Sequence, residues 1–432
     1  MNRQNIAEYA INALKKAGAD KAACSVSQGR KEEFSVEANK FSLLRTIFND
    51  GVYLKALMGG RKGVAAINKL DKDSIDEAVA TCISLAESAT PDDAEDIAGK
   101  VENKSFDQSI GGVDMNALFS RTKEFLEQVS DEYPKIILES VTSDFSAVHS
   151  TYLNSNDVMF DSYDELYHMT NMFSAKDGEK STSFNYNSAL FTSLDKPFMD
   201  IAMQRTLLDE SVRSLDTRMF DEKFVGKIIV TPACSDMIWD TLFDCFLCDR
   251  SMIESTSRWK DSLGTKVADS KLTFRTVPYH PDIVSGERYT SDGFESQDMD
   301  IIRDGILTSF ALSLYGSRKT GKPRAKNLAL ANIEVPPGDV PLEKMIKSID
   351  RGILLNRFSG ASPGPGGDVS GVAKNSFMIE NGKITDALSE TMVSFNIADL
   401  IQNIPMISSE RSSNGISVLP WCCFDGATIS GK

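Results

Sequence analysis

The sequence predicts an α+β fold, with an N-terminal α/β region that includes an antiparallel meander and a C-terminal, largely antiparallel β domain with few helices. Three observations carry this. Helical and strand periodicities come in blocks rather than in regular strand–helix units. Residues 135–194 keep a period of two. Beyond residue 248 strand-like runs alternate with Gly- and Pro-rich turns to the end. That order argues against a doubly wound parallel sheet. A chain of 432 residues has room for two or three domains of roughly 100–200 residues each. We divide it into 1–222, itself divisible into 1–98 and 99–222, and 223–432.

The elements follow in order. The first helix sets Ile6, Ala10 and Leu14 near one face and stops at Gly18. The run GVYLKALMGGRKGVAAIN, residues 51–68, reads as a hairpin turning at Gly59-Gly60. Ser74 and Glu77 form a capping box for a helix with Ile75, Ala78, Val79, Cys82, Leu85 and Ala86 as its apolar stripe. TPDDAEDIAGK, from Thr90, is acidic and aperiodic and reads as a linker. Asp114 is the expected N-cap of a helix through Leu118, Phe119, Thr122, Phe125, Leu126 and Val129, ended by Pro134. The meander turns at Asn154-Ser155-Asn156-Asp157 and at Lys176-Asp177-Gly178. A helix is expected over 198–213, then the strand FVGKIIVTP, then a helix from Ser235 to Cys248.

Composition excludes several function classes. The chain is 41% hydrophobic and 25% charged, as ordinary globular proteins are. A formal net charge of −15 disfavours direct binding to nucleic acid. One basic cluster, Arg318, Lys319, Lys322, Arg324 and Lys326, reads as a solvated loop, or as a dock for an acidic partner or a peptide carboxylate. Seven cysteines, an odd number spread along a long chain, argue for a reducing compartment. The N-terminal stretch is amphipathic and does not read as a signal peptide, and no run approaches the ~18 apolar residues of a membrane span. The expected location is cytoplasmic.

Candidate chemistry is sparse. The three histidines, His149, His168 and His280, lack the helical spacing of a zinc site. Cys245 and Cys248 form a CxxC at the apolar end of a helix, where buried thiols are the simpler reading. Cys422-Cys423 could complete a metal site with them only if folding gathered all four. Asp236, Asp240 and Asp244 share a helical face that could hold an oxygen-loving cation or be a solvated side. The loop GASPGPGGDVSG, residues 360–371, lacks the Lys-Ser or Lys-Thr of a P-loop, which leaves a turn, a peptide contact or a subunit contact. No GxSxG is present, so no Ser-His-Asp constellation is expected.

Two C-terminal runs, YTSDGFESQDMDIIRDGILTSFALSLYGSRKTGKP from Tyr289 and GGDVSGVAKNSFMIENGKITDAL from Gly366, resemble the TldD/PmbA family, also called modulators of DNA gyrase. The strand KIIVTP and its helix sit where that family places them, and the likeness extends through the 51–68 hairpin and the turn YLNSND. The resemblance implies one of two kinds of subunit. TldD-like chains carry HExxxH on that helix and a Cys near the C-terminus and act as zinc peptidases. PmbA-like (TldE-like) chains lack those ligands and pair with a TldD-like chain. Placed without gaps, HExxxH falls near Asp240, Thr241 and Cys245, and the C-terminal Cys near Arg411 or Ser412. The chain therefore resembles the PmbA-like kind, and no catalytic, metal or cofactor residue carries over. The expected function is the non-metal subunit of a peptidase acting on unfolded or extended peptides, with zinc in a TldD-like partner and a homodimer open to the isolated chain. Two other readings stay open: an autonomous hydrolase or metallopeptidase built on Asp240, Asp244 and the cysteines, and a non-catalytic, protein-binding modulator.

Overall fold

The structure is a computed structural model and describes residues 2–360 and 362–431. Helix α1 (Arg3–Lys16) is capped by Asn2, whose side chain accepts from the Asn5 amide, and buries Ile6, Ala7, Ala10, Ile11 and Leu14. Strands β1 (Lys21–Glu37), β2 (Lys40–Met58) and β3 (Arg61–Ile67) follow, with the β2–β3 turn at Gly59-Gly60, both at positive φ. Helix α2 (Lys72–Ser88) packs on this hairpin at Gly63. A Cβ there would lie 1.9 Å from the Cys82 carbonyl oxygen, so only glycine admits the approach. The cap differs from expectation. Asp71, three residues before Ser74, is the N-cap, and its carboxylate accepts from both the amide and the hydroxyl of Ser74. An ionised acceptor outbids a hydroxyl at the positive end of a helix. Leu85 turns to solvent and Ile83 takes its place in the buried stripe.

Strand β4 (Lys104–Gln108) precedes helix α3 (Met115–Glu132), capped by Asp114 as expected. Then come β5 (Ile136–Asn154), β6 (Met159–Asp177), the short β7 (Lys180–Ser181) and β8 (Asn185–Phe191). The N-terminal sheet runs β3-β2-β1-β5-β6-β4, with β8 pairing β6 antiparallel beyond β4's stretch. Leu118, Phe125 and Val129 of α3 pack on one face with Val141, Phe145, Met169 and Phe173. Phe119 stays outside that core and stacks on Phe41, with centroids 4.6 Å apart. The helix expected over 198–213 is split: a 3₁₀ turn (Phe198–Asp200) and left-handed Ala202 and Met203 precede α4 (Gln204–Arg213).

The C-terminal sheet begins with β9 (Thr217–Met219) and β10 (Lys223–Val230). It is mixed. β10 pairs antiparallel with the last strand, Val418–Ser430, and parallel with Arg351–Leu355. Helix α5 (Asp236–Leu242) continues into a π turn (Phe243–Leu247), and α6 (Asp249–Ile253) follows after a break at Cys248. The uninterrupted helix expected to Cys248 is therefore wider at its end. Trp239 is buried against Phe274, ring centroids 5.0 Å apart, in the core of this half. Among the described residues no helix is long and apolar enough to cross a membrane.

The two sheets meet through the segment that opens with Tyr289. Its ring stacks on Phe160 of β6 at 5.2 Å and 14°. Asp292, three residues on, accepts from Arg324 and from the Leu314 amide at the start of α7 (Leu314–Thr320). Arg318, Lys319 and Arg324 of the basic cluster are thus engaged within the chain, while Lys326 stays exposed. Lys319 pairs with Asp92 at 2.8 Å, Arg318 pairs with Asp96, and Tyr315 donates to Asp92 at 3.0 Å. The acidic partner of Arg318 and Lys319 is this chain's own segment from Thr90, which packs with Ile97 and Ala98 buried. The Lys319 ammonium and the Ala94 amide hold the Asp92 carboxyl down to about 2. Tyr289→Ala should cost about 2–3 kcal/mol, because a large aromatic contact is lost where the halves meet. Denaturant unfolding monitored from both halves measures this, and a loss below about 0.5 kcal/mol would refute the interface role.

Candidate functional site

The cleft with the most chemistry lies where β8, an edge strand, faces the start of α5. The strand's outer side is partly closed. The Leu190 amide donates to the Asn414 carbonyl at 2.8 Å. Gly415, at φ +81°, permits this, since a Cβ there would meet the Leu190 carbonyl oxygen at 2.1 Å. Backbone groups alternate along an antiparallel strand, so those of Ser188 and Tyr186 point the same way as Leu190's, out of the sheet. The Tyr186 amide folds onto the Asn185 side chain. Ser188 has no backbone partner on that side among the described residues. Tyr186 and Ser188 share a cavity with Pro232, Ala233 and Asp236 at the head of α5 and with Ser412 and Asn414. Ser412 and Asp236 thus face the same space from the C-terminal half.

Across the sheet from Ser188 runs a row of polar side chains set by strand register. Glu33 of β1 stands opposite Asp144 of β5, and Asp144 opposite His168 of β6. Arg45 binds Glu33 at 2.8 Å, and Lys31 bridges Glu33 at 2.8 Å and Asp144 at 3.2 Å. Burial alone would lower the Lys31 ammonium's affinity for its proton, but the hydrogen bond to Glu33 and the charge of Asp144 outweigh it and raise it. Lys31 therefore stays charged. His168 contacts Asp144 Oδ2 through Nδ1 at 3.1 Å and Ser188 Oγ through Nε2 at 3.0 Å. No GxSxG marks it in the sequence, but Asp144, His168 and Ser188 meet here on three strands. A partial signal was present. It needed one more residue than the turn at Asn154–Asp157 supplies: the hairpin closes between Asn154 and Val158, which brings His168 rather than Tyr167 opposite Asp144.

The other candidates have separate partners. His149 stacks on Tyr163, with centroids 3.9 Å apart, and burial lowers its affinity for a proton. His280 accepts from the Asp282 amide and lies 3.6 Å from Glu334. All seven cysteines are free thiols. Cys245 is buried and its Sγ contacts the Gly364 carbonyl at 3.4 Å, so the glycine-rich loop serves as packing for α5 there. Ala361 of that loop lies outside the described residues. Cys422 and Cys423 enter different core clusters, and burial pushes both thiols up to about 12. Asp236, Asp240 and Asp244 all reach solvent. Even so, protein packed around Asp240 desolvates its carboxyl, and Asp236 and Asp244 repel its charge, so it is pushed up to about 6. Among the described residues no three His, Cys, Asp or Glu side chains cluster in a way that could hold a metal ion.

Residues 225–431 match the PmbA/TldA metallopeptidase C-terminal domain, and residues 22–86 match the PmbA/TldA metallopeptidase domain 1. The chain is similar to metalloprotease PmbA of Escherichia coli O157:H7, 29% identical over 152 residues, an alignment spanning 35% of this chain but only 34% of that protein. It is also similar to the metalloprotease PmbA homolog of Haemophilus influenzae, 22% identical over 416 residues, spanning 93% of this chain and 90% of that one. The crystal structure of TldE from Thermococcus kodakarensis shares the fold, with a TM-score of 0.82 at 17% identity over 99% of this chain and 100% of that one. With matching domains at both ends and a fold shared along its length, the chain belongs to the PmbA/TldD family of metallopeptidase-related proteins.

Proposed function

We propose that this chain is the PmbA-like, zinc-free subunit of a PmbA/TldD-type peptidase in the cytoplasm. In this reading it pairs with a TldD-like chain that carries the zinc and holds extended peptide against the edge of β8. The observation that carries the proposal is the pairing of an open strand edge with the head of α5 in one cavity. An extended peptide adds to such an edge through main-chain hydrogen bonds, independent of its sequence. The donor set supports the zinc-free part. The positions near which HExxxH would fall hold Asp240, a buried Thr241 and Cys245, with no histidine among residues 236–248. A hydroxyl is not a customary zinc ligand, and the pair of imidazoles that such a helix supplies is missing.

Affinity purification of the tagged chain from its native cell, with metal content measured on each component, tests the assembly. A TldD-like chain should co-elute and carry the zinc, while the separated subunit holds only substoichiometric metal. One zinc per isolated chain, with chelator-sensitive peptide cleavage, would overturn the proposal.

Asp240 gives a second check. Its folded carboxyl, raised from 3.8 to about 6, binds a proton more tightly than the unfolded chain does, so stability falls as pH rises from about 4 to about 6. Asp240→Asn should therefore stabilise the protein at pH 7 by about 1 kcal/mol, a figure discounted for the carboxyl's access to solvent, and give no gain below pH 4. Urea titrations at the two pH values measure this, and an equal gain at both would contradict the assigned cause.

A further inference from the structure

The Asp144, His168 and Ser188 contacts differ from ordinary sheet cross-links in three respects. First, their order fixes the tautomer. Asp144 is only 2% exposed and pairs with the Lys31 ammonium at 3.2 Å. A carboxylate can only accept, so His168 Nδ1 carries the proton, and Nε2 is left to accept from the Ser188 hydroxyl. Second, Ser188 is not sealed in the core. It lines the cavity at the strand edge, where an acyl compound lying along β8 would pass it. Third, the same cavity holds a free donor. Asn414 Oδ1 accepts from the Ile416 and Ser417 amides at 3.0 and 2.9 Å, which sets the orientation of the side chain. Its Nδ2 has no hydrogen-bond partner among the described residues.

We infer that Ser188, His168 and Asp144 form a metal-independent acyl-transfer centre for peptide or ester carbonyls lying along the β8 edge. Ser188 Oγ bonds to the acyl carbon as its proton passes to His168 Nε2. The bond from that carbon to the leaving nitrogen or oxygen breaks, and His168 returns the proton to the leaving atom. Water then adds to the acyl-serine, giving a proton to His168. The ester bond to Oγ breaks as that proton returns to Oγ, and a carboxylic acid is released. Asn414 Nδ2 is the donor for the oxygen that gains charge in both additions. Asp144 is a positioning residue that acts through His168. This centre is separate from the zinc chemistry assigned to a partner, and neither depends on the other.

A fluorophosphonate probe tests it, applied in the presence of a chelator to the chain alone and to the assembly purified from the native cell. Mass spectrometry should find one adduct per chain, on Ser188. His168→Gln and Asn414→Ala should each slow labelling by roughly a hundredfold, with circular dichroism showing the fold retained. Asp144→Asn should lose labelling, while Asp144→Glu keeps part of it, a rescue that a purely structural carboxylate would not give. Turnover of p-nitrophenyl acetate should show an acylation burst that Ser188→Ala abolishes. No adduct on Ser188 in either wild-type preparation, or undiminished labelling of a folded His168→Gln protein, would overturn the inference. Both readouts are independent of zinc and of the partner's recovery, so this inference and the subunit assignment can fail separately.

Discussion

The seating of Tyr289 on Phe160 joins the two sheets and anchors one side of the cleft between them. Polar contacts brace that stack. Asp292, three residues on, accepts from Arg324 and from the Leu314 amide and so ties the Tyr289 segment to the head of α7. Lys319 and Arg318, at the far end of that helix, then bind Asp92 and Asp96 of the N-terminal half. On the opposite side Leu190 and the Asn414–Gly415 turn repeat the fixation at the edge of β8. Between these two attachments the head of α5 confronts an unfilled strand edge.

The cleft's polar groups divide by sheet. The N-terminal wall offers a tautomer-ordered imidazole and a hydroxyl, backed by the alternating charges of Arg45, Glu33, Lys31 and Asp144. In such a row each buried charge has an opposite neighbour, which offsets the cost of taking it out of water. The C-terminal wall offers Asp236 at the head of α5, with Ser412 and Asn414 beside it. One wall is thus organised for proton transfer, and the other lacks the soft donors a zinc ion prefers.

Much of this was legible wherever a local rule decides. The stripe of α1, the Asp114 cap and the Gly59-Gly60 turn follow from neighbours a few residues apart. Local rules also misled. Ser74 fits a capping box, yet the ionised Asp71 lies within reach of the same amide. The π turn at Phe243–Leu247 has no signature in an apolar stretch that any helix type could bury. The partners of Arg318 and Lys319 lie more than two hundred residues away, so composition shows the charges and not their mates. The row from Asp144 through His168 to Ser188 needed both the hairpin register, which the turn at Asn154–Asp157 misses by one residue, and the return of β8 along β6, which no local pattern shows.

The central claim is that the open edge of β8 receives an extended chain. Amide hydrogen exchange at Ser188, followed with and without a saturating unfolded peptide, tests this most directly. An added strand should place a hydrogen bond on that outward-facing amide and slow its exchange, with the amides of β3, at the other edge of the N-terminal sheet, unchanged. Unaltered exchange at Ser188 under conditions where peptide is bound would contradict the account.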